Sequence, residues 1–168
     1  MQLHPQVKAL WRYKPLSYFT HLLRETAPQG EVAVLERSND VLFAPLVTEK
    51  NHLACELSIT LLRQQAPGQL LGEGGDIDNR LKTLLDALRM PNTAEAQQAK
   101  IDTRGDDDPI HCLLQDDTLV TKVSVETDRL LRPVPADNSF DLVAIIQVRV
   151  FVSGTPTWAN ISFDAQIQ

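Results

Sequence analysis

Asp76, Asp78 and Lys82 stand where an amphipathic helix should begin, and an acidic pair, Asp116-Asp117, follows ahead of a valine-rich run. Carboxylates grouped around an open position hold Mg²⁺ against a phosphate. In an extended lead-in, the period of two puts Asp76 and Asp78 on one side of the chain. Asp78 or Asn79 is a natural N-cap, because either side chain can accept a first-turn backbone N–H. Lys82 follows Asp78 by four residues, one turn along the same helical face. Asp76, Asp78 and Lys82 can therefore face one spot at a helix N-terminus, which favours an anion. If Asp116 or Asp117 reaches that spot from a neighbouring strand, three carboxylates surround one hard cation. A water on that cation could then attack a phosphodiester. Each part also has an ordinary structural reading. An Asp at a helix start is a cap, Lys82 pairs with Asp86, and Asp116-Asp117 forms a turn before a strand.

The elements that must position these residues follow from hydrophobic periodicity. Leu81, Leu84, Leu85 and Leu88 form a single apolar stripe, so a helix is expected from the motif to Pro91, which stops it. Upstream, Leu57, Ile59 and Leu61 alternate with Ser58 and Thr60, the pattern of a strand with one buried face. Pro67, Gly68, Gly72, Gly74 and Gly75 break that pattern before the motif. Residues 119–131 read as a strand. Residues 139–152 form the longest β-rich run, and their near-continuous apolarity suggests a central strand. The polar segment 92–111 reads as a loop with room for one short helix around Ala94 to Lys100. Near the N-terminus, residues 6–25 read as a helix in two pieces around Pro15. Residues 31–35 and 41–47 read as a hairpin turned at Ser38-Asn39-Asp40. The order helix, hairpin, strand, helix, strand, strand implies an α/β (α+β) fold, a mixed β-sheet with helices packed on one face.

Composition bounds the function. The chain has 168 residues, 43% of them hydrophobic, enough for one packed domain with an appended arm. No run approaches the roughly 20 apolar residues of a membrane span, and the N-terminus lacks a secretory pattern. Cys55 and Cys112 fit no metal or redox spacing and read as buried thiols in a reducing cytoplasm. The net charge of −6 is local: residues 1–72 carry +1, residues 73–117 carry −6, and residues 118–168 carry −1. Carboxylates that hold a metal need such a concentration. Other chemistries find no support, since the glycines are not followed by Gly-Lys-Ser/Thr, the loop lacks an EF-hand glutamate, and the four histidines are scattered.

Asp76-Ile77-Asp78-Asn79-Arg80-Leu81-Lys82, then Leu85-Asp86-Ala87-Leu88, then Asp116-Asp117, together resemble the RusA family of Holliday junction resolvases and related endodeoxyribonucleases. The resemblance covers roughly residues 50–152. It implies a nuclease domain over 49–168 behind an N-terminal extension of 1–48. It also implies a homodimeric, Mg²⁺-dependent phosphodiesterase, with Mn²⁺ as a substitute, acting on branched DNA in recombination and repair. On this resemblance Asp76, Asp78 and Asp117 are the metal ligands and Asp116 is auxiliary. Lys82 stabilises the phosphate, and Asn79 and Asp86 support the ligands from behind. The competing expectation is a non-catalytic DNA- or protein-binding regulatory module on the same fold.

Overall fold

A computed structural model describes residues 3–29, 31–38, 41–63, 77–92, 94–95, 109–131 and 143–154. It belongs to the general α+β class, with two three-stranded sheets of mixed direction and two α-helices among the described residues. The chain divides into two compact units. The first comprises residues 1–54, 85–119 and 150–168, and the second residues 55–84 and 120–149. The strands expected in one mixed sheet are thus shared between two.

In the first unit, helix α1 (His4–Leu10) packs against strand β4 (Ile110–Leu114). The His111 N–H donates to Nδ1 of His4 at 2.8 Å, which fixes the start of the helix to the strand. The second helical piece expected before residue 25 is instead two short 3₁₀ turns, Leu16–Tyr18 and Thr20–Leu22. Strand β1 is Glu36–Ser38, not residues 31–35. The reason lies in the backbone: Val34 and Leu35 donate to the carbonyls of Leu22 and Arg24. Those donors serve the 3₁₀ segment rather than a ladder. The expected hairpin survives in shifted form, with β1 antiparallel to β2 (Val41–Val47) and Ser38 opposite Val41.

Strand β4 lies inside and just beyond the segment that reads as a loop in sequence. It pairs in parallel with β2, Phe43 facing Ile110 and Val47 facing Leu114. Its five residues are too few for periodicity to register, yet four of them are buried. Phe43, Ala44, Val47 and Leu114 are fully buried at this β2–β4 seam.

The second sheet has the order β5-β3-β6, so the central strand is β3 (Leu53–Arg63). Its alternation is close to that read from the sequence, with Leu57, Ile59 and Leu61 buried. Strand β5 (Val120–Arg129) runs parallel to it. The register shifts where Cys55 faces Val120 and Glu56 faces Lys122. The extra residue, Thr121, forms a bulge whose hydroxyl donates to the Cys55 carbonyl at 3.2 Å. Strand β6 (Val143–Val152), expected to be central, is an edge strand among the described residues, and Val143, Ile145 and Val148 on it are exposed. Apolarity alone does not distinguish a strand flanked on both sides from one flanked on one.

Helix α2 (Ile77–Leu88) carries the expected stripe, with Leu84 and Leu88 buried. It ends at Leu88, three residues before Pro91. Met90 donates its N–H to the Leu114 carbonyl at 2.8 Å, so the chain leaves the helix directly alongside β4.

Candidate functional site

The helix start differs from the sequence reading. Ile77 and Asp78 are already helical, so the backbone there is not extended and neither Asp78 nor Asn79 is the cap. Asp78 and Asn79 lie inside the first turn, where a carboxylate is favoured by the unsatisfied N–H groups of the helix start. Asp76 and the side chain of Asp78 fall outside the described residues. Asn79 is exposed, and its carbonyl accepts the Thr83 hydroxyl at 2.8 Å. Lys82, one turn beyond Asp78, is exposed and makes no ion pair among the described residues. Its ammonium is therefore not tied down by Asp86, the partner that a purely structural reading assigns to it.

Asp86 is engaged elsewhere. Arg89 donates to its Oδ1 from Nε at 3.2 Å and from Nη2 at 3.1 Å. The other side of the guanidinium forms a two-pronged contact with Glu95, Nη2 to Oε1 at 2.7 Å and Nη1 to Oε2 at 2.9 Å. Glu95 also accepts the backbone N–H of Asn92 at 2.9 Å, while the Asn92 side-chain oxygen accepts the N–H of Glu95 at 3.0 Å. This reciprocal pair is a capping box. It starts a helical turn at residues 94–95, within the stretch where the sequence leaves room for a short helix. The hydrogen bonds that Arg89 donates to Glu95 and then to Asp86 raise its pKa above the usual value, and Arg89 lowers that of Glu95. Arg89 thus ties the end of α2 to the segment after Pro91.

The acidic pair sits on the turn between β4 and β5. Asp116 Oδ1 accepts the Thr118 hydroxyl at 2.6 Å and the Thr118 N–H at 2.9 Å. The Thr118 contacts hold the Asp116 carboxyl below the usual carboxylate range, with smaller help from Asp117 and the Arg89 charge. Asp117 opens the 3₁₀ turn Asp117–Leu119 and is exposed. The turn is fixed from below, because Gln115 donates its N–H to the Val47 carbonyl at 2.9 Å. The Gln115 side chain also accepts the Glu49 N–H and donates to Glu36.

Asn79 and Lys82 belong to the second unit, and Asp86, Asp116 and Asp117 to the first. Within the first unit Arg89 is the common neighbour, bonded to Asp86 and close enough to act on Asp116. Among the described residues no three His, Cys, Asp or Glu side chains are grouped to hold a metal ion. Beside Asp86 and Arg89 the first unit has an open cleft of about 720 Å³, lined also by His4, Phe43, His111 and Cys112. Nothing in residue type or spacing marks Arg89 or Thr118 as part of this cluster. The Asn92-x-x-Glu95 spacing is the one signal that points to such a cluster, since it is the pattern of a capping box.

Comparisons with protein-family models, with curated proteins and with solved structures find no match.

Proposed function

We propose that this chain is a Mg²⁺-dependent endodeoxyribonuclease of the RusA type that hydrolyses phosphodiester bonds in branched DNA. The observation that carries the reading is the register of α2. Its helical backbone runs from Ile77, so Asp78 and Lys82 are four positions apart in its first two turns, with Lys82 exposed and in no ion pair among the described residues. In the first unit the acidic pair Asp116-Asp117, at the opening of a 3₁₀ turn, offers further hard oxygen donors.

The donor set fits the ion by type. Asp76, Asp78 and Asp117, with Asp116 as auxiliary, offer only carboxylate oxygens, which suit Mg²⁺ or Mn²⁺ over thiophilic metals. When bound, the cation supplies Lewis-acid polarisation of the scissile phosphate and a more acidic water. The remaining work falls to the chain. Lys82 places a positive charge beside the phosphoryl oxygens as negative charge grows on them. The Thr118 contacts favour the ionised form of Asp116 and extend its charge to lower pH than an ordinary aspartate holds it. Asp86 is held in one orientation by Arg89, and Asn79 contributes to the first turn of α2.

A homodimer fits the exposed apolar residues Val143, Ile145 and Val148 on the edge strand. A cytoplasmic setting fits the two free, buried cysteines. Among the described residues no helix is long and apolar enough to cross a membrane.

The test is incubation with labelled four-way junctions, flaps and linear duplex in Mg²⁺ or Mn²⁺, with Asp78→Asn and Asp117→Asn as controls. Cleavage of a branched substrate that both substitutions abolish supports the proposal. If nothing is cut, or Asp78→Asn cuts as well as the parent, it fails. A second reading, a non-catalytic DNA- or protein-binding module, is favoured by the engagement of Asp116 with Thr118 and of Asp86 with Arg89. Calorimetric titration with Mg²⁺ separates the two: binding lost in Asp78→Asn argues for a working centre.

A further inference from the structure

The inward positions of β3, namely Leu53, Cys55, Leu57, Ile59 and Leu61, are all buried, and the row ends in Arg63, which is only 5% exposed. A guanidinium at the end of an apolar row is costly unless an anion compensates it. Among the described residues Arg63 has no ion pair, and its buried Nε has no hydrogen-bond partner. A second arginine stands beside it: Arg63 and Arg129 are aligned partners in the parallel β3–β5 ladder. Aligned residues on neighbouring strands project to the same side of the sheet. Arg129 is exposed and likewise makes no ion pair among the described residues. The nearest carboxylate in sequence, Asp128, accepts the Arg129 backbone N–H at 2.7 Å and is aligned with Leu62, on the alternate face. The two strands are locked together at this point, since Leu130 donates its N–H to the Arg63 carbonyl at 2.6 Å.

We propose that Arg63 and Arg129 form a phosphate-binding pair at the end of the β3–β5 seam. Two adjacent like charges on one face repel each other, and one tetrahedral oxyanion relieves both. Each guanidinium offers a planar fork of donors that matches phosphate oxygens. The buried Arg63 supplies a fixed donor, and the exposed Arg129 closes on the ligand from the solvent side. The pair involves none of the carboxylates of the proposed nuclease centre, so it stands or falls independently of that reading.

The experiment uses the full chain in EDTA, where divalent metal contributes nothing and no cleavage is read. One arm measures the thermal midpoint in inorganic phosphate against chloride at equal ionic strength. The other measures affinity for a labelled DNA duplex as a function of salt. Both are run on the parent, Arg129→Gln, Arg63→Gln and Arg63→Lys. The expected result is that Arg129→Gln, an exposed change, lowers binding several-fold in at least one arm. In the DNA arm each lost contact flattens the salt dependence by about 0.9 in the log–log slope. Arg63→Lys keeps the charge but loses the fork, and should fall between the parent and Arg63→Gln. A response in both arms identifies an isolated phosphate group as ligand, and a response in the DNA arm alone identifies the polymer backbone. If Arg129→Gln matches the parent in both arms, or the parent responds in neither, the proposal is overturned. Should Arg63→Gln fail to fold, Arg129→Gln alone decides the matter.

Discussion

Replacing Lys82 with Met separates a chemical role from a structural one. The side chain is exposed on α2 and makes no ion pair among the described residues. Lysine and methionine have nearly equal helix propensity. The largest stabilising interaction open to Lys82 is an i,i+4 attraction to Asp78, about 0.3–0.5 kcal/mol at an exposed site. For a chain of 168 residues, about 1 kcal/mol moves the melting midpoint by roughly 2–4 °C. Lys82→Met should therefore shift it by no more than about 2 °C. Loss of one positive group at a developing phosphoryl charge is a different order of effect, about 2.7–4 kcal/mol by analogy with an oxyanion donor, or roughly 10²–10³ in rate. The assay is single-turnover cleavage of a four-way junction in Mg²⁺, read beside a thermal melt of the same preparation. Cleavage should fall at least a hundredfold while the melt barely moves. Wild-type cleavage by Lys82→Met would refute the role given to this lysine, and a large loss of stability would show that it is structural after all.

Phe43 is fully buried between its ladder partners Glu36 and Ile110, so Phe43→Ala should destabilise the first unit by about 3–5 kcal/mol in urea unfolding. Thr118→Val removes the strongest of the contacts that depress Asp116, and its carboxyl titration followed by NMR should move up toward the ordinary aspartate range. Because the folded pKa of Asp116 lies below the unfolded one, its contribution to stability is present above the ordinary aspartate pKa and is lost as pH falls through the folded value. In the parent that loss should be complete only at a lower pH than in Thr118→Val. Burial pushes the Cys112 thiol up to about 12 and the Cys55 thiol up to about 11. Both should resist a thiol reagent at pH 8 in the folded protein and react at once in denaturant, as counted by absorbance.

The parts of the fold visible in sequence are those whose pattern is long and is set by a single buried face. Strand β3 alternates over eleven residues and helix α2 carries four leucines at helical spacing, so both stand close to where they are expected. Strand β4 escapes notice because five residues, four of them buried, show no period. Strand β6 is legible as a strand but not as an edge, since neighbours are set by topology and not by composition. In the candidate site the charged residues are legible by type and order. Their local bonding is not, because Arg89 reaches Asp86 and Glu95 through turns whose geometry only the folded backbone fixes. The start of α2 lies two or three residues ahead of where the capping pattern puts it, for a related reason. An Asp in the first turn and an Asp at the cap look alike in sequence, and both are favoured there.

The two parallel ladders also constrain how the chain comes to be folded. Phe43 pairs with Ile110 and Cys55 with Val120, so each ladder closes a loop of more than sixty residues. Non-local pairings of this kind slow folding, because the entropy of loop closure is lost before any contact offsets it. Asp76, Asp78 and Lys82 lie within both loops. A growing chain that has not yet produced Ile110 can complete neither ladder, and the candidate site then exists only as an unanchored acidic stretch. A cut anywhere between Arg63 and Ile110 would leave two fragments joined by the two ladders, the packing of α1 on β4 and the Gln115 side-chain bonds, and whether they stay together would measure how firmly these contacts hold.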